Sequence, residues 1–129
     1  MPTLEPKALL DLGRRLAPLR DEGVLIMGSG FMTHSFDAIR KARMGASGVP
    51  SPLSEFDAWV AEALAGRDVD ALLDYKTTAP GLGYAHPTVD HFVPLFIALG
   101  ASLDTANGQA HTQIDGYWMA NSKRSLQFA

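Results

Sequence analysis

Apolar residues recur every three or four positions along the first segment, EPKALLDLGRRLAPLRDEG, at Leu9, Leu12, Leu16 and Leu19. That spacing predicts one apolar stripe on a helix. Pro6 suits its first turn and Glu5 its positive end, whereas Gly13 and Pro18 weaken it, so its last turn is expected to be irregular. After Gly23 the pattern changes. VLIM (24–27) is an unbroken apolar run, which predicts a strand buried on both faces, as in a parallel sheet. Gly28-Ser29-Gly30 then makes a turn. Residues 35–44 (SFDAIRKARM) predict a short helix capped by Ser35, and GASGVPSP (45–52) reads as loop.

A second clear helix is expected from Ser54, where SEFDAWVAEALAG places Phe56, Trp59, Val60, Ala63 and Leu64 on one side before Gly66. DVDALLDYK (68–76) predicts a further short helix. TTAPGLGYAHP (77–87) is a glycine- and proline-bearing connection. Thr88 is the expected cap of a helix running Val89 to Leu99, bent by Pro94 and stopped by Gly100. Two short strands are expected in the tail, GYWMA (116–120) and SLQF (125–128), joined by a turn at Asn121-Ser122-Lys123-Arg124. Together these elements predict an α/β fold, a small mixed sheet flanked by helices, in a single domain over 1–129.

Composition narrows the function classes. The 129 residues are 47% hydrophobic and 19% charged, as in ordinary globular chains. A net charge of −3 with no Lys/Arg cluster argues against a nucleic-acid partner. No apolar run approaches the roughly 20 residues of a membrane span, and MPTLEPKALL lacks the pattern of a secretory signal. A cytoplasmic protein without membrane contact is expected. The absence of cysteine removes disulfides, thiolate nucleophiles and cysteine-based zinc sites.

The candidate chemistry lies at the glycine turn and in the histidines. GSGFMT is neither GxGxxG nor followed by GKS or GKT, so it carries no P-loop or dinucleotide fingerprint. Its glycines would let the backbone pass close to another group, and the carboxyl end of a buried strand is where α/β proteins place ligand contacts. Ser29 and Gly30 are therefore candidate substrate contacts. Ser29 lacks the G-x-S-x-G context of a hydrolase nucleophile. His34 follows the turn and reads either as a loop histidine bonded to a carbonyl or as a site residue. His86 precedes Pro87 and reads as an extended, exposed loop position. His91 would fall in the first helical turn, where the helix dipole favours the neutral imidazole that binds metal or accepts a proton. Five residues on a helix turn about 140°, so His86 and His91 cannot form a helical metal clip. Asp57, Glu55 and Glu62 read as solvated charge on a polar helix face, and His111 as a surface-loop residue.

GVLIMGSGFMTHSF (23–36), SEFDAWV (54–60) and AHPTVDHFVPLFIALGAS (85–102), in that order, resemble the C-terminal half of class III extradiol ring-cleavage dioxygenases, in the branch similar to 4,5-DOPA dioxygenase. The resemblance implies an α/β fold and a non-haem iron(II) or zinc(II) ion that a catechol chelates before dioxygen opens the ring beside the diol. It further implies that His34 lies beside the metal as acid/base or ligand, and that His91 lines the same pocket. Both are thus candidate catalytic and metal-binding residues. In the family most metal-binding histidines come from the N-terminal half, which nothing in these 129 residues replaces. The resemblance therefore leads to the expectation of an exposed apolar face, covered by a second copy of the chain or by a complementary N-terminal-half chain. A relative without activity, acting as a small-molecule-binding or oligomeric accessory protein, is the other expectation.

Overall fold

The computed structural model describes residues 3–105 and 108–128. Helices dominate, and the strands are confined to the C-terminal end. In chain order these are α1 (Pro6–Leu16), α2 (Pro18–Asp21), α3 (Phe36–Arg43), α4 (Ser51–Ala65), α5 (Val69–Leu73), α6 (Tyr75–Thr78), α7 (Leu82–Ala85) and α8 (Pro94–Gly100). The strands are β1 (Ala110–Ile114), β2 (Tyr117–Trp118), β3 (Asn121–Ser122) and β4 (Ser125–Phe128). They form two antiparallel two-stranded sheets, β1 with β4 and β2 with β3. No helix among the described residues is long and apolar enough to cross a membrane.

The core gathers Leu9 and Leu10 of α1, Leu53, Phe56, Val60 and Leu64 of α4, and Phe92, Val93, Phe96 and Leu99 around α8. Proline places the helix starts: Pro6, Pro52 and Pro94 all stand in first turns, where the missing N–H has no intrahelical partner to lose. For α8 this moves the boundary. Residues 88–93 form bends and turns and the helix begins at Pro94, so Thr88 is not its cap and His91 precedes the helix. In the same way Pro52 extends α4 three residues before Ser54. Gly13 does not simply weaken α1. A side chain there would strike the Ile97 carbonyl, and one at Gly100 would strike that of Leu10, so the two glycines let α1 and α8 pack backbone to backbone.

VLIM is not a buried strand in this chain. Residues 24–27 lie outside any strand, Leu25 is 78% and Met27 75% exposed, and residues 25–30 make no backbone–backbone hydrogen bond to another described residue. A strand is made by its neighbours, and no other described segment pairs its backbone with this one. The tail also departs from expectation. β2 and β3 pair through a turn at Met119-Ala120, and Asn121-Ser122, expected as the turn, is itself strand β3. β1, which the period-2 pattern did not reveal, pairs with β4 and carries His111 on an exposed strand position, not in a loop.

Candidate active site

Loop 28–35, running from the glycine turn into α3, is pinned against residues 85–94. Phe31 N–H donates to the His91 carbonyl (2.8 Å) and His34 N–H to that of Ala85 (2.8 Å). The glycines permit this closeness, since a side-chain carbon at Gly30 would collide with the His91 carbonyl and one at Gly28 would stand 2.6 Å from the Pro94 carbonyl. Ser35 then caps α3, its side chain accepting from Ala38 N–H. The result is that the His34 and His91 rings stack, with centroids 4.0 Å apart and planes 12° apart. Phe31 and Phe36 flank them, with ring centroids 5.1 and 4.7 Å from that of His34.

Burial, and then the neighbouring His91, lower the His34 pKa, while Asp90 pulls weakly the other way. His34 is thus held neutral. Asp90 Oδ2 stands 3.0 Å from His91 Nδ1, close enough for a charge contact but not aligned as a hydrogen bond, so that buried nitrogen has no hydrogen-bond partner. The Asp90 carboxyl is itself held below its usual range, chiefly by the Thr88 hydroxyl. Ser29, Gly30 and His91 border an open groove of about 710 Å³ between residues 24–32, α8 and β4. His34 is not among the residues that line that groove and meets it through Phe31 and His91, which are.

His86 is neither exposed nor part of the pair. It is 3% exposed and wedged between Phe56 and Phe92. Its Nε2–H donates to the Met32 carbonyl (2.8 Å), and its Nδ1 is buried without a partner. Burial drives its pKa down to about 4. It is a strut beneath the site loop. Asp57 likewise is not solvated. At 3% exposure it receives Ser122 Oγ at 2.6 Å and the Arg124 fork at 2.9 Å (Nε) and 2.7 Å (Nη2). Sequence reasoning missed this although a signal was present, because Leu53, Asp57, Val60 and Leu64 fall at helical spacing on the buried stripe of α4. Asn121, which bonds the backbone of Ser35 on the other side of His34, gave no such signal.

Two adjacent imidazoles, one held neutral and one with an unpartnered Nδ1, have the donor chemistry of a divalent metal site. They are a partial set, because no group of three His, Asp or Glu residues able to hold a metal occurs among the described residues. Residues 1–121 match the family model described as the catalytic LigB subunit of aromatic ring-opening dioxygenase. The chain belongs to the LigB family. Among individual members it is similar to several 4,5-DOPA extradiol dioxygenases. It is 39% identical over 106 residues to that of Beta vulgaris, covering 81% of this chain and 38% of the relative. It is 40% identical over 101 residues to that of Portulaca grandiflora, covering 78% and 36%, and 30% identical over 95 residues to that of Escherichia coli, covering 70% and 34%. The chain therefore spans little more than a third of the length of these relatives.

Proposed function

We propose that this LigB-family chain contributes His34 and His91 to the metal centre of an extradiol dioxygenase acting on a catechol-type small molecule. The stacked imidazole pair beside the groove carries the reading. An iron(II) or zinc(II) ion held there would supply the Lewis acidity that brings the catechol hydroxyls toward ionisation. His34, kept neutral by burial, would accept the proton of one hydroxyl. Ser29 and Gly30, at the groove's edge, would contact the ring substrate. The remaining metal donors would come from residues beyond these 129, on a complementary N-terminal-half chain or a second copy that covers Val24, Leu25 and Met27.

A second reading draws support from the donor set, since two imidazoles fall short of the two histidines and one carboxylate that non-haem iron oxygenases use. On it the chain is a non-catalytic relative that binds a small molecule or assists assembly. Metal analysis of the purified protein, followed by oxygen uptake with catechols after anaerobic iron(II) loading, separates the two. Bound metal near one per chain, lost on His34→Ala, supports the dioxygenase reading. Neither metal nor turnover, alone or with a complementary chain, supports the accessory one.

A further inference from the structure

Thr33 and Ser35 are essentially inaccessible to water, whereas His34 between them is only half-buried and meets His91. His34 thus faces outward between two buried neighbours, and the C-terminal end of the chain grips both. Ser122 N–H donates to Thr33 Oγ1 at 2.7 Å. Ser35 N–H donates to Asn121 Oδ1 at 2.7 Å, and the Ser35 carbonyl accepts from Asn121 Nδ2 at 3.3 Å. The Asn121 side-chain amide therefore pairs with both backbone groups of Ser35, as a neighbouring strand's backbone would. Asn121 is 5% exposed, so water does not replace these bonds when they break.

The hairpin that delivers Asn121 is built at a cost. Its two-residue turn is Met119-Ala120, with φ of +48° and +63°, a left-handed region where turns of this kind favour Asn-Gly. Asn121 Nδ2 braces the turn by donating to the Met119 carbonyl at 3.2 Å. Behind it, the bonds of Ser122 and Arg124 to Asp57 fasten the hairpin to α4. Strained turns that persist are held by what surrounds them, and here the surroundings join the hairpin to the residues on either side of His34.

We propose that Asn121 is a positioning residue: acting through Ser35, it sets the orientation in which the His34 ring meets His91. Its importance to chemistry rests on the reading of that pair given above, but the orientation can be measured without it. The experiment is NMR of histidine-labelled protein, comparing the wild type with Asn121→Ala and with Leu72→Ala, a core change in α5 that serves as a destabilised control. Asn121→Ala is expected to abolish the His34–His91 inter-ring cross-peaks and to move the His34 ring resonances, while Leu72→Ala leaves both in place. Unmoved resonances in Asn121→Ala, or equal movement in the two variants, overturn the proposal. Should Asn121→Ala fail to fold, Asn121→Leu removes both bonds to Ser35 at similar volume and Asn121→Asp retains the acceptor used by Ser35 N–H. The proposal requires the first to disturb the cross-peaks more than the second, and it falls if the two behave alike. Zinc titration of the wild type tests the metal reading separately, and its failure would leave the cross-peak result intact.

Discussion

The His34 and His91 imidazoles stack nearly parallel, 4.0 Å between centroids, although one follows a glycine turn and the other precedes a helix. Two cations cannot share that spacing cheaply, and the pull of His91 is the second cause, after burial, of the lowered His34 pKa. Replacing His91 by Gln is therefore expected to raise the His34 titration midpoint toward its ordinary value, as seen by NMR of the His34 ring. A midpoint that stays put or falls would show that the rings do not sense one another.

Acid should weaken the fold through His86. Its pKa is depressed to about 4 by burial, so the unfolded chain takes up its proton first as pH falls. The stability this group contributes is fully present above about pH 6.5 and is lost progressively toward pH 4, amounting to roughly 3 kcal/mol. His34 shifts in the same direction and adds to the slope. Urea unfolding at a series of pH values should show the loss, and His86→Gln, which can still donate to Met32, should flatten it. A variant with the wild-type slope would assign the loss elsewhere.

Much of this was legible in the sequence, for physical reasons that also mark its limits. Ser35 as a cap, the buried stripe of α4 and the proximity of His34 to His91 are readable, because caps and helical spacing are local and the histidine blocks carry a family resemblance. Within the run from Val89 to Leu99 the sequence pattern makes Pro94 a bend, yet a residue without an N–H sits best at a helix start, and the helix begins there. VLIM has the composition of an interior strand, but strand pairing depends on partners that local pattern does not contain. The grip of Asn121 on Ser35 spans 86 positions and leaves no periodic trace.

Gly30→Ala tests the close approach that builds the site. The added methyl would collide with the His91 carbonyl, which accepts from Phe31 N–H, and the contact is to backbone that cannot swing aside. A loss of about 1–3 kcal/mol is expected from such overpacking, together with displaced His91 ring resonances. Gly83→Ala, where a side chain would meet nothing within 4 Å, is the matched control and should leave those resonances in place. Equal stability of the two variants would mean that loop 28–35 yields without cost.

The exposed run at 24–27 makes the last prediction. Leu25 and Met27 stand 78% and 75% exposed at the rim of the groove, and residues 25–30 offer backbone donors and acceptors that no described residue uses. Apolar side chains beside unpaired backbone are the ingredients of strand addition by another polypeptide. The chain alone should therefore associate in solution, with a mass above 13.9 kDa by light scattering at micromolar concentration. Leu25→Asp with Met27→Asp should shift it toward monomer without lowering its melting temperature, since neither side chain is part of the core. A complementary N-terminal-half chain should displace the self-association on mixing. A wild type that stays monomeric at every concentration and binds no complementary chain would remove the case for an interface here.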